Sequence, residues 1–218
     1  MRAPFFIAAL LLAARTFAAP AAATGPDPVF MHAATVEQVR ALLAEPMRRA
    51  AGAQTISGQF TQERRIVGMS HPLRSRGEFL CAPSLGVRWH TLAPIESDFV
   101  LPSGGSRDAP PQMQAAMSGA ASALQAMLTL DLNALAGQFD FFVAGRPAQW
   151  TLGLRPRAEA MKSVLAALVL RGDARVQSVT FDNPQGDRAV LTLRQVRLSP
   201  APPDAAQRAA FQAAGAAH

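Results

Sequence analysis

Two short stretches decide how this chain is read: Ile56-Ser57-Gly58-Gln59-Phe60-Thr61 and Arg76-Gly77-Glu78-Phe79-Leu80-Cys81. In the first, Ile56, Gly58 and Phe60 alternate with Ser57, Gln59 and Thr61. In the second, Gly77, Phe79 and Cys81 share one face. A period of two belongs to a strand with one face buried. Val87, Trp89 and Thr91 repeat the pattern after a turn at Pro83–Gly86. Pro94 breaks that strand, and Phe99–Leu101 starts another. Closely spaced strands with turn residues between them read as an antiparallel meander.

Upstream, Thr35 has the form of an N-cap, and Gln38 completes a capping box. Val36, Val39, Leu42 and Leu43 mark the apolar face of a short helix before Pro46. Downstream, Ser103–Pro111 is a polar, turn-rich loop. Residues 112–130 are rich in Ala, Met and Leu and contain no proline. Met113, Met117, Leu124, Met127 and Leu128 fall on one helical stripe. Asp131–Leu135 continues or restarts the helix.

Strand patterns return at Phe139–Val143, at Trp150, Leu152 and Leu154, at Val179 and Phe181, and at Ala189, Leu191 and Leu193. Val164–Leu170 is apolar throughout and fits either a strand or a buried helix. Beyond Pro200 the chain is Ala-rich and reads as a frayed tail. The order is helix, strands, helix, strands, which predicts an α+β fold. A sheet that curls around helices leaves a space between its two layers where an apolar ligand can sit.

The 218 residues suffice for one sizeable domain. Arg2, the apolar run Phe5–Ala14 and Ala21-Ala22-Ala23 before Thr24 read as a secretory signal over residues 1–23. Cleavage after Ala18 is the other reading. The run is too short to span a bilayer, and Arg15 closes it. Residues 24–200 then form the domain and 201–218 a flexible tail. Losing residues 1–23 removes two arginines and no acid, so the formal charge falls from +6 to +4. The remaining excess is spread as pairs such as Arg48/Arg49, Arg64/Arg65 and Arg74/Arg76. Spread charge reads as a solvated surface or, alternatively, as a face for an acidic partner or anionic membrane. With no dense basic block and an exported chain, nucleic acid is not an expected partner. The single cysteine, Cys81, makes no internal disulfide.

No G-x-S-x-G, Gly-rich phosphate loop or H-E-x-x-H occurs. Ser70-His71-Pro72 reads as a turn, since neighbours on a strand point to opposite faces. The four histidines are scattered, so neither a metal nor a cofactor is expected. Cys81 reads as a buried inert thiol, or as part of a cavity wall. The methionine stripe suits ordinary core, and also a surface that moulds to ligands of variable shape.

The segment Ser57-Gly58-Gln59-Phe60-Thr61-Gln62 resembles the opening strand motif of the LolA-like outer-membrane lipoprotein carriers, which centres on Phe-Thr-Gln. Pro72-Leu73, Ser75, Gly77 and Phe79 resemble the family's second strand. Trp89-His90-Thr91, Pro94, Ser97 and Phe99-Val100 resemble the strand pair that follows. Leu130-Asp131-Leu132, Leu135 and Phe139 are similar to a helix-to-strand segment, with Leu130 where a glycine is common. Trp150, Leu152, Leu154, Pro156 and Gly186-Asp187 complete an order running from about Thr35 to Val196.

The resemblance implies a curved antiparallel sheet forming an incomplete β-barrel around a hydrophobic cavity, with helices as its cover. It implies a monomeric periplasmic carrier of lipoprotein acyl chains or other lipids, without catalysis. Its partners would be an inner-membrane release complex and an outer-membrane acceptor. A lipid sensor or adaptor of the same fold is the alternative. From strand parity and the helical stripe, the expected cavity residues are Phe60, Phe79, Trp89, Phe99, Met113, Met117, Leu124, Met127 and Leu128. One departure bears on the lid. The main family carries a latch arginine before the proline of the third-strand turn, and here Ala82 precedes Pro83. A looser lid held by apolar contacts follows as an expectation, with Arg88 facing away from the cavity.

Overall fold

The computed structural model describes residues 27–103 and 123–216. After a 3-10 turn at Pro28–Met31 come β1 (Ala33–Ala34), α1 (Val36–Leu42) and α2 (Ala44–Ala50). Thr35 caps α1 as expected: its hydroxyl accepts from the Gln38 amide at 3.3 Å, and the Gln38 side chain accepts from the Thr35 amide at 2.8 Å. Pro46 does not end the helical region. It sits in the first turn of α2, where a missing amide proton costs no intrahelical bond.

Four strands follow: β2 (Thr55–Arg65), β3 (Leu73–Ala82), β4 (Gly86–Ala93) and β5 (Ser97–Pro102). Residues 123–129 form the helix α3. Next are α4 (Leu132–Ala136), β6 (Phe139–Arg146), β7 (Gln149–Pro156), α5 (Glu159–Lys162), β8 (Ala167–Gly172), β9 (Val176–Asp182), β10 (Arg188–Ser199) and α6 (Ala205–Ala216). The chain restarts its helix at Asp131. Leu130 has φ of 55°, and the Asp131 carboxylate accepts from the Asn133 and Ala134 amides. The position is thus left-handed, a conformation glycine takes without cost. Leu130 accepts that conformational cost, on the order of 1–2 kcal/mol, and offsets it by burying its side chain. The ambiguous run at 164–170 resolves as strand β8 from Ala167 onward, with Val164 exposed.

All strands belong to one antiparallel sheet of order β1-β6-β7-β8-β9-β10-β2-β3-β4-β5. The sheet is curved and open, with β1 and β5 at its edges, so the fold is α+β as read. Its inner face carries Phe60, Phe79, Trp89, Trp150, Leu152, Leu154, Leu168, Leu170, Val179, Leu191 and Leu193. The helices lay Val39, Leu43, Met127, Leu128, Leu132 and Leu135 against the same cluster. Among the described residues, one layer is therefore sheet and the other is helices.

The tail beyond Pro200 departs from the frayed reading. Asp204 and Gln207 form a reciprocal cap, at 2.9 and 2.8 Å, and α6 packs on β5. Phe211 is buried against Leu80 and Ala82, on the face opposite the main core. Among the described side chains of α6, Phe211 is the buried one. Phe211→Ala should therefore release α6 and cost about 3 kcal/mol, at the low end for a buried phenylalanine because the site is peripheral. Amide exchange across residues 205–216 would show it; unchanged protection would mean that the caps alone hold the helix.

Candidate functional site

The inner face is shaped by reciprocal glycine–aromatic pairs. Across β2 and β3, Gly58 stands opposite Phe79 and Phe60 opposite Gly77. A Cβ at Gly58 would lie 2.9 Å from the Phe79 ring, and one at Gly77 would lie 2.8 Å from the Phe60 ring. Each glycine therefore gives its space to the ring of its partner. Trp89, opposite Phe79 on β4, stacks on Phe60 at 4.1 Å and on Phe79 at 5.9 Å between ring centres. Offset stacks of this kind add about 0.5–1.5 kcal/mol each beyond the area they bury.

Five of the expected residues meet in one buried cluster: Phe60, Phe79, Trp89, Met127 and Leu128. Leu124 packs against it from α3 and is partly exposed. Phe99, opposite Trp89 on β5, is half-buried. Met113 and Met117 lie outside the described residues. The rings are packed against one another.

The polar inventory of this face is short. Gln62 is buried two residues beyond Phe60, beside Ser75, whose hydroxyl lies 3.5 Å from its carbonyl oxygen. The parity that picked out Phe60 also points to Gln62, which the expected set omitted. Cys81 is fully buried on the inner face, and burial pushes its thiol up to about 12. Trp150 and Trp89 differ in a telling way. The Trp150 indole donates to the Asp173 carbonyl at 2.6 Å, whereas the Trp89 Nε1 is buried with no acceptor among the described residues.

Ala82 does not stand where a latch could act. Its side chain alternates with Cys81 and packs under Phe211 on the outer face. An arginine there would displace α6 and would not reach the helix layer. The looser lid therefore cannot be attributed to this residue. Arg88 does face outward, pairing with Asp98.

The antiparallel order brings the β2–β3, β4–β5 and β7–β8 connections to one end of the sheet. That end carries Val67, Met69, Leu92, Ile95 and Val164, five of the six exposed large apolar side chains among the described residues. The Asp187 carboxylate ties the β9–β10 turn to the same end, accepting from the Val67 amide at 3.0 Å and pairing with Arg64 at 3.2 Å. No helix among the described residues is long and apolar enough to cross a membrane.

Residues 111–216 match the protein family described as outer membrane lipoprotein carrier protein LolA-like. This segment, just under half of the chain, is similar to the LolA-like family. The match covers α3 to α6 and β6 to β10; the Phe-Thr-Gln strand lies before it. Among solved structures, the chain is similar to MucB of Pseudomonas aeruginosa, seen in complex with MucA. The identity is 19% and the TM-score 0.42, over 80% of this chain and 60% of that one. It is also similar to the LolA superfamily protein NE2245 from Nitrosomonas europaea, at 9% identity and a TM-score of 0.36, over 75% and 94% of the two chains. A third is an outer membrane lipoprotein-sorting protein domain from Vibrio parahaemolyticus, at 9% and 0.34, over 76% and 94%. The chain spans about 60% of the length of the MucB structure. No curated protein matches it.

Proposed function

We propose that this protein is a non-catalytic periplasmic carrier. It holds acyl chains of lipoproteins or other lipids between the inner face of the sheet and the helix layer, and delivers them towards the outer membrane. One observation carries the reading: among the described residues, a ten-stranded sheet has its apolar face roofed by helices, α1, α3 and α4, and not by a second sheet. α1 and α4 are single short helices that bury only one to two side chains each, so this part of the roof can lift piecewise. A seated chain replaces the lost contacts at roughly 0.8 kcal/mol per CH₂, which suffices for firm yet reversible holding without a covalent bond. The exposed apolar end supplies the face where cargo is exchanged with a membrane.

Native mass spectrometry of protein purified from the periplasm tests the first half. Acylated lipoprotein or lipid should co-purify; a protein that arrives empty and fails to take up an acylated probe overturns the reading. Transfer of the bound lipid to outer-membrane vesicles tests the second half. A carrier unloads, and Val67→Asp with Ile95→Asp slows the unloading while leaving the bound fraction unchanged. A protein that binds lipid but never unloads is the sensor or adaptor alternative.

A further inference from the structure

We infer that the Trp89 indole N–H is a polar contact of the inner face for a bound ligand, and that it binds the carbonyl oxygen joining an acyl chain to its head as an ester or amide. The inference rests on the acyl-binding reading above and deepens it.

Trp89 is only 5% exposed, and its Nε1 has no acceptor among the described residues. Its closest aromatic neighbours, Phe60 and Phe79, offer none. A buried donor left unpaired destabilises the empty protein, and a phenylalanine would fill much of this space without that cost. The fold is able to satisfy an indole, as it does for Trp150 on the same face, which donates to Asp173 at 2.6 Å. The unpaired group at Trp89 is accounted for if its acceptor arrives with the ligand.

The chemistry of that acceptor is narrow. It must accept without donating, and it must enter with a long apolar body. A carboxylate would enter this face without a counter-ion, since the buried polar residues described are Thr55, Gln62 and Thr180, none of them cationic. An ester or amide carbonyl at the root of an acyl chain meets all these conditions. Free fatty acids should be poorer ligands than acyl esters of the same length.

The chain has two tryptophans, so its ¹H–¹⁵N spectrum has two indole signals, assigned by Trp89→Phe. Trp150 serves as an internal reference. Sucrose monododecanoate and dodecyl maltoside share chain length and a sugar head, but only the first has a carbonyl. The first should move the Trp89 indole proton downfield and leave Trp150 in place; the second should bind without that shift. Trp89→Phe should weaken binding of the ester about 3- to 10-fold and of the maltoside less than about 2-fold. Dodecanoate at pH 8 should bind more weakly than the ester. If both detergents bind, as seen in the Met127 methyl signal, and the Trp89 indole responds to neither or equally to both, this inference fails and the acyl-binding reading stands. If neither moves the Met127 methyl, the acyl-binding reading fails as well. The indole measurement on the wild type decides the matter even if the variant folds poorly.

Discussion

Gly77→Ala is expected to cost about 3 kcal/mol or more, enough to leave much of the protein unfolded, although it adds a single methyl group. The new Cβ would lie 2.8 Å from Phe60 and 2.8 Å from the Thr91 Cα, and would run into the His90 carbonyl oxygen. Two of these three atoms are backbone of β4, which cannot yield without breaking the ladder. The site is also the bulge where the β3–β4 register shifts, so the strand is already bent there. Gly58→Ala provides the contrast. Its Cβ meets mainly the Phe79 ring, at 2.9 and 3.0 Å, with the Arg194 carbonyl at 3.0 Å. A ring can move, so a cost of about 1–2 kcal/mol is expected.

The two glycines should also differ in rescue. Phe79→Leu should relieve much of the Gly58→Ala defect and give a clearly sub-additive double-mutant cycle. Phe60→Leu should relieve little of the Gly77→Ala defect, because the backbone clash remains. Urea melts of the four single and two double variants would decide it. Equal costs for the two glycines would mean that the sheet yields more freely than its packing indicates.

The strands were legible in the sequence because a half-buried sheet writes its faces with a period of two. Ile56, Phe60, Phe79, Trp89, Trp150, Leu152 and Leu154 all lie on the face that parity assigns them. The capping box at Thr35 and Gln38 was legible for the same kind of reason: it is a local hydrogen-bond exchange with fixed spacing. The same signature at Asp204 and Gln207 went unread, because the alanines after it form no apolar stripe. Among the described side chains of α6 the buried one is Phe211, and a lone aromatic carries no periodicity. Leu130 was noticed as a departure from glycine, but its left-handed backbone depends on the helices on either side.

The site itself was legible only by face. Parity places Phe60, Phe79 and Trp89 together, yet it says nothing of an indole without an acceptor or of an acceptor for Trp150. Those depend on which loop comes near, as Asp173 does. Ala82 shows the opposite limit. Its counting position suggested a latch, and the alternation that put Cys81 inside had already placed Ala82 outside.

Stability should fall as pH rises above 9, and Cys81 should account for most of the loss. Burial holds its thiol neutral, with a pKa raised from 9.0 to about 12 in the folded protein. The sign follows from which state binds the proton. Below pH 9 the thiol is protonated whether the chain is folded or not, and its effect on stability is constant. Above pH 9 the unfolded chain releases the proton and the folded one keeps it, so unfolding gains up to about 1.4 kcal/mol per pH unit until the folded thiol titrates near 12. Fully developed, the loss is on the order of 4 kcal/mol, comparable to the net stability of many domains. This chain is well suited to the measurement. It has no tyrosine and a single lysine, Lys162, whose ammonium is half exposed beside Glu159. Arginine does not titrate in this range. Urea midpoints of the wild type should therefore drop between pH 9 and 11, while those of Cys81→Ala should stay nearly level from a lower start. Parallel curves for the two proteins would remove Cys81 as the cause. The same burial makes the thiol a reporter of any parting of the helix layer from the sheet. It should resist a disulfide reagent at pH 8 in the empty closed state, and react only as fast as the helix layer parts from the sheet.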